Sequence, residues 1–223
     1  QDINENSRST FKIGLDFKYQ TSENTLLGFP YQIADGDTLS GQQRTSVLSF
    51  NQSWLYRDVV QAIFLRSDLL LGVDINSSTD PFFNNGQFLG FRGEAYWLHK
   101  LPWGLKATSR LQMQFVDRPV VSSEKFAAGG INSVRAEPTN VFLADDGVFI
   151  SFQIDKNIFS TKSCELNAFI FMDAAYLWNI SNIDNSSQTL AGPGIGLRFR
   201  LKNLLASISY AIPITSIPGI EKN

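Results

Sequence analysis

Nine stretches of this chain alternate apolar and polar side chains with a period of two. Successive side chains on an extended strand point to opposite faces, so this pattern gives each strand one greasy side and one wet side. The clearest stretch is 105–115. Leu105, Ala107, Leu111, Met113 and Phe115 share a face with Ser109, opposite Lys106, Thr108, Arg110, Gln112 and Gln114. Segment 10–19 sets Phe11, Ile13, Leu15, Phe17 and Tyr19 against Lys12, Gly14, Asp16 and Lys18. The same rhythm runs through 44–56, 59–72, 87–98, 148–155, 165–174, 195–201 and 206–212. Most of these runs approach or reach the roughly 9–11 residues that a tilted strand needs to cross a bilayer. Strands of soluble proteins average about 5–6.

Composition fits a wall between lipid and water. Of 223 residues, 43% are hydrophobic and only 18% charged, against about 25% charged in ordinary soluble domains. Mean hydropathy is nevertheless close to zero, at -0.09. Strands with one face in lipid and one in water give that combination. A helical membrane protein would carry apolar runs of about 20 residues, and the sequence has none. The connections alternate long and short. Those near 20–42, 73–86, 116–146, 178–189 and beyond 213 are long, and those at 57–58, 99–103, 156–163 and 202–203 are short. Outer-membrane barrels pair long extracellular loops with short periplasmic turns in this way. Trp54, Tyr56, Trp97, Trp103, Tyr176 and Trp178 fall near strand ends, where aromatic girdles sit. The fold class expected is all-β: an antiparallel transmembrane β-barrel in the bacterial cell outer membrane, in contact with its lipid. A soluble β-sandwich with one polar face per sheet is the other reading.

Nine strands do not close a single-chain bacterial barrel, whose strand count is even. Open strand edges are not tolerated in lipid. The expectation is therefore that residues 1–223 form a partial barrel, with at least one strand missing after Asn223 and several before Gln1. The first residues, Gln1 to Asn6, are polar and acidic and unlike a signal peptide.

Several functional classes are disfavoured. Cys164 is the only cysteine and His99 the only histidine, so the sequence offers no catalytic triad, disulfide or zinc ligand set. No catalytic residue, metal site or cofactor is assigned, and an enzyme is not expected. A net charge of -2 argues against nucleic acid as a partner.

The longest connection holding a motif is 116–146, far beyond the usual median of about 4–6 residues. It contains Gly129, Gly130, Ser133, Val134 and Arg135. The glycines permit positive φ, and an arginine on a loop directed into the lumen needs an anion. Asp173 is a candidate on the wall, because it shares its face with Asn167 and Glu165. The alternative is a solvated arginine and a lumen aspartate that never meet. If they do meet in a wet lumen, such a pair is worth on the order of 1 kcal/mol or less, and its role is to fix the loop in place. Glu94 and Glu165 read as lumen polar residues rather than an acid/base pair. Lys106, Arg110, Arg198 and Arg200 form either a positive lumen stripe or ordinary pore hydration. Gly192-Pro193-Gly194-Ile195-Gly196 lacks the Lys-Ser/Thr and the helix of a nucleotide loop, and reads as small residues easing a close approach. Asp35-Gly36-Asp37 and Asp145-Asp146-Gly147 read as solvated acidic turns in preference to weak calcium sites.

With these residues in view, the chain resembles the haemolysin secretion/activation transporters, the TpsB-type outer-membrane component of two-partner secretion. That family lies within the superfamily of barrel-assembly and secretion proteins. Leu48-Ser49-Phe50-Asn51-Gln52-Ser53-Trp54 with Arg57 is similar to its early barrel strands, and Asn85-Gly86-Gln87-Phe88 to the opening of a later one. Phe126-Ala127-Ala128-Gly129-Gly130-Ile131-Asn132-Ser133-Val134-Arg135, followed by Asp145-Asp146-Gly147, resembles its sixth-loop signature. Phe171-Met172-Asp173-Ala174-Ala175 resembles the wall motif that receives the loop arginine, and Tyr210-Ala211-Ile212-Pro213 the end of the penultimate strand. The resemblance implies strands seven to fifteen of a sixteen-stranded barrel, with the final strand missing and periplasmic substrate-binding domains upstream. It implies a monomeric pore that secretes a partner polypeptide, haemolysin- or adhesin-like, with Arg135 anchored to Asp173. The sequence departs from the family at one place: Ala136 and Glu137 stand where a glycine and an aromatic usually follow the arginine. The rival functions are an outer-membrane insertase of the same superfamily, a passive diffusion porin and a soluble binding module.

Overall fold

A computed structural model of the chain describes residues 8–23, 25–26, 29–30, 42–73, 87–180 and 186–215. Nine long strands make one sheet: β1 (Arg8–Glu23), β2 (Gln42–Arg57), β3 (Gln61–Gly72), β4 (Phe88–Lys100), β5 (Leu105–Val116), β6 (Asp146–Ser160), β7 (Cys164–Trp178), β8 (Ser187–Leu201) and β9 (Leu204–Ala211). Each pairs antiparallel with the next, with no crossover from β1 to β9. The edges β1 and β9 are not hydrogen-bonded to one another. Two short pairs stand apart, Thr25–Leu26 with Phe29–Pro30 and Phe126–Ala128 with Phe142–Ala144. The described residues contain no α-helix and no second large sheet.

Side-chain alternation makes the two faces of this sheet chemically unlike. On one face the register sets Phe11 beside Trp54, Leu15 beside Phe50, and Phe50 beside Leu69. That face stays uncovered through the middle of the sheet, where Ile170 is 57% and Ile195 61% exposed. A soluble sandwich would bury such a row under a second sheet. Aromatic pairs mark both rims. Trp54 stacks on Tyr56 and Trp97 lies against His99 near the short turns, while Tyr176, Trp178 and Phe115 cluster at the long-loop end.

The other face is a lateral hydrogen-bond network. Asn51 donates to Asp68 at 2.8 Å, Gln112 to Glu94 at 2.9 Å, and Asn157 to Asn167 at 3.1 Å. The short turns are self-supporting. Asp58 accepts the backbone N–H groups of Gln61 and Val60, and these two donors hold its carboxyl below the usual carboxylate range. Most strands outrun the segments that the alternation marks, since β6, β7 and β8 have 15 residues each. Pro193 sits inside β8 without breaking it. Its carbonyl accepts from Ile212 N, and in an antiparallel strand N–H and C=O of one residue point the same way. The missing N–H therefore faces Ile212, just beyond the last residue of β9, so the one bond the proline forgoes lies at the end of that pairing rather than inside it.

The 117–145 segment does not extend away from the sheet. It folds onto the polar face, and its short hairpin of Phe126–Ala128 and Phe142–Ala144 packs between loop and wall. There Ala128, Val134, Ala144, Phe149, Ala175, Leu177 and Leu190 form a dry cluster. A smaller patch of Val47, Leu70 and Phe88 is covered by Val120.

The unlike faces predict unlike tolerance to charge. Ile170→Arg, at mid-strand on the bare apolar face, is expected to cost about 2–4 kcal/mol in a lipid-embedded barrel. Ser49→Arg, on the polar face beside Asp16, is expected to be close to neutral. Urea titration of the protein folded in lipid vesicles measures both, and equal costs would contradict this assignment of faces.

Candidate functional site

The site is built on a turn that requires its glycines. Gly129 and Gly130 have φ of 107° and 90°, a region that side-chain-bearing residues rarely enter. Space forbids a side chain as well. A Cβ on Gly129 would lie 2.1 Å from the Pro138 carbonyl oxygen, and one on Gly130 2.6 Å from Thr139 Oγ1. The Gly130 N–H is shared between the carbonyls of Val134 and Glu137, and Ser133 Oγ accepts the Gly129 N–H at 2.7 Å. Val134 is fully buried in the dry cluster. Turn, serine and valine together fix where residue 135 leaves the loop.

Arg135 then reaches across to β7. Its Nε donates to Asp173 Oδ2 at 2.7 Å, Nη2 to Oδ1 at 2.8 Å, and its own backbone N–H to Oδ2 at 3.1 Å. Nη1 donates to Gln153 at 2.7 Å and Nη2 also to Ser151 at 3.2 Å, both on β6. The guanidinium lies 3.4 Å from the centroid of the Phe171 ring. Asp173 is completely buried and the Arg135 side chain only 16% exposed. The wet-lumen figure therefore does not apply. Removing one partner of a buried pair strands the other, at about 3–5 kcal/mol.

The glycines of β8 have a specific job in this arrangement. Phe171 lies directly across from Gly194, and Phe169 from Gly196. A Cβ on Gly194 would come within 2.2 Å of the Phe171 ring, and one on Gly196 within 2.3 Å of the Phe169 ring. Each ring thus lies over a bare backbone and offers its other face to a guanidinium, Arg135 on Phe171 and Arg198 on Phe169. Gly192 makes room for the residue after the arginine, since a Cβ there would lie 2.4 Å from Ala136 Cβ.

Further anchors hold the rest of the loop, and sequence reasoning did not single out most of them. Glu124 is buried and accepts from Arg92 at 3.0 Å and from Lys18. Its carbonyl accepts from Arg92 and from Gln114. Asp145 and Asp146 are not a solvated turn but buried acceptors. Asp145 takes the N–H groups of Val120 and Ile180, and Asp146 that of Val116. Both oxygens of Asp145 and one of Asp146 take backbone donors, Lys125 lies 3.8 Å from Asp145, and no metal-binding group of side chains occurs among the described residues. Asp35-Gly36-Asp37 and Asn85-Gly86 lie outside the described residues.

The other polar residues on this face of the sheet are partly paired. Glu94 accepts from the Tyr96 hydroxyl at 2.8 Å and from Gln112. Arg110 donates to the Asn132 carbonyl of the loop. Arg198 bonds Asp155 at 3.2 Å, Arg200 bonds Glu165 at 3.3 Å, and Asn167 donates to Glu165 at 2.8 Å. A continuous stripe of four free cations is not what the geometry gives: Arg198 and Arg200 are neutralised by neighbouring carboxylates. Lys106 stands on β5 opposite Asp155 and lines the space beneath the loop.

A long-stranded meander, bare and greasy on one side and polar on the other, with a loop clamped to the polar side, is the wall of a transmembrane β-barrel. The chain belongs to the haemolysin secretion/activation protein family ShlB/FhaC/HecB, whose family model matches residues 4–199. Members of that family are bacterial outer-membrane transporters of two-partner secretion. The chain is also similar in structure to CdiB from Escherichia coli, with a TM-score of 0.82 at 16% identity over 98% of this chain. It spans 40% of the length of that protein. No curated protein sequence matches it significantly.

The ring-over-glycine arrangement generates a test. Gly194→Ala drives a methyl into Phe171 and is expected to cost about 1–3 kcal/mol, as overpacking does. Trimming the ring in Gly194→Ala/Phe171→Leu is expected to recover part of that loss without restoring the guanidinium stack. Denaturation midpoints of the three proteins check the first effect. Protease cleavage within 129–140 checks the second.

Proposed function

We propose that this chain is the loop-bearing part of an outer-membrane pore that secretes a partner polypeptide, haemolysin- or adhesin-like, across the bacterial outer membrane. The observation that carries this reading is the buried bidentate clamp between loop Arg135 and wall Asp173. In the complete protein the nine strands would be strands seven to fifteen of sixteen in a monomeric, lipid-embedded barrel. Upstream periplasmic domains would bind the substrate. The clamp holds the loop inside the lumen in one position, so the conduit has a defined wall. The reading needs no cofactor, metal or nucleic acid, because moving an unfolded chain through a pore breaks no covalent bond. Ala136 and Glu137, where the family usually has a glycine and an aromatic, are compatible with the clamp. The methyl of Ala136 occupies the space that Gly192 leaves open.

Two substitutions test the role. Arg135→Ala and Asp173→Asn are each expected to cut secretion of the partner polypeptide by about tenfold or more, in proportion to a lost buried ion pair. Barrel assembly, read as heat-modifiable gel mobility, is expected to stay near wild type. Arg135→Lys is expected to fail as well, since an ammonium cannot make the two-pronged contact or the stack on Phe171. Parallel loss of secretion and assembly would show a merely structural pair. A steady small-solute conductance with no secretion phenotype would favour a diffusion porin.

A further inference from the structure

The clamped loop leaves a cavity of about 270 Å3 between its tip and the lumen wall. The charged groups lining it are Lys106 and Arg110 from β5, Asp155 from β6, Arg198 from β8 and Arg135 from the loop. Two of the four cations are already neutralised, Arg198 by Asp155 and Arg135 by Asp173 on β7. That leaves Lys106 and Arg110. Arg110 gives one N–H to the Asn132 carbonyl, a neutral acceptor. Its Nε is buried and has no hydrogen-bond partner among the described residues. The neighbouring carboxylate Glu94 is held instead by Tyr96 and Gln112. Beside these cations lie apolar surfaces: Ile131 at the loop tip, 80% exposed, and the ring of Tyr96, 5.3 Å from the Arg110 guanidinium. Hydroxyls of Ser133, Ser151 and Thr108 and the amide of Gln153 add to the lining.

We propose that this cavity is a subsite for an acidic side chain of the polypeptide in transit, with Lys106 and Arg110 as its cationic anchors. Lys106 and Arg110 both line the cavity, and no carboxylate among the described residues is bonded to either. A carboxylate entering the cavity meets their exposed N–H groups with charge-assisted bonds. The apolar flank selects among anions. An Asp or Glu side chain brings a carbon stem that Ile131 and the Tyr96 ring can cover, whereas inorganic phosphate would use the cations alone. Because the loop itself closes one side, the subsite exists only while Arg135 is clamped. The inference rests on the conduit reading given above.

The test uses the complete protein reconstituted in planar bilayers, with hexaglutamate, hexalysine or inorganic phosphate added while current is recorded. Hexaglutamate is expected to block at a concentration at least about tenfold below the other two, as charge complementarity at a partly buried site requires. Lys106→Glu is expected to raise that concentration about tenfold, and Lys106→Arg to leave it within about threefold. Should Lys106→Glu fail to fold, Lys106→Gln is expected to give an intermediate rise. Equal block by hexalysine overturns the proposal. So does block by phosphate as strong as by hexaglutamate, or indifference to the loss of the Lys106 charge in a folded protein. Secretion that depends on Arg135 without any preference for hexaglutamate overturns the subsite alone. Secretion indifferent to Arg135 overturns the conduit reading, whatever the peptides do.

Discussion

A guanidinium taken out of bulk water keeps its charge, so its surroundings must supply every bond that water supplied. Arg135 meets this demand with a carboxylate, an amide, a hydroxyl and an aromatic face. Those groups come from two adjacent strands, β6 and β7, and the ring is in place only because β8 is bare at Gly194. Three strands and one loop therefore converge on one side chain. The Gly129–Gly130 turn serves the same end from the loop side, since it sets the point from which the arginine departs.

The departure at Ala136 and Glu137 is intelligible on these terms. A glycine after the arginine would leave the backbone freer, but the angles there do not demand one: the positive φ values of the loop's turn fall on Gly129, Gly130 and Asn140. The methyl of Ala136 is accommodated because the facing wall residue is Gly192. Freedom lost on the loop is matched by space on the wall. The hydrogen bonds of Arg135 go to Asp173, Gln153 and Ser151, so the clamp is complete with Glu137 as its near neighbour in sequence.

Strand identity and facing were legible in the sequence because a sheet that is greasy on one face and polar on the other imposes a period of two. Leu105 to Phe115 shows it residue by residue. Strand length was less legible. Toward the long-loop end both faces turn apolar, as at Phe149, Leu177 and Leu190, and the alternation is lost. Those inward apolar residues are the floor on which the loop packs, so the break in the pattern was itself the trace of the loop. Glu124 carried no such trace. A single acid in a polar stretch looks solvated, and only the folded chain brings it to Lys18, 106 residues away in sequence, and to Arg92. Asp145 and Asp146 misled for a related reason: two adjacent acids and a glycine suggest an exposed turn, but backbone donors from 116, 120 and 180 bury them.

The loop is held at separate points that share no side-chain partner. Glu124 binds the β1 and β4 side of the sheet through Lys18 and Arg92, Asn132 hangs from Arg110 on β5, and Arg135 binds β7. Contacts without common partners contribute nearly independently. Breaking one leaves the others able to keep the loop against the wall, while its position shifts locally. The strand ladders do not run through any of these contacts, because each strand is joined to the next by backbone bonds. Wall integrity and loop placement are thus separate physical properties of this chain, which is why a defect in one need not be a defect in the other.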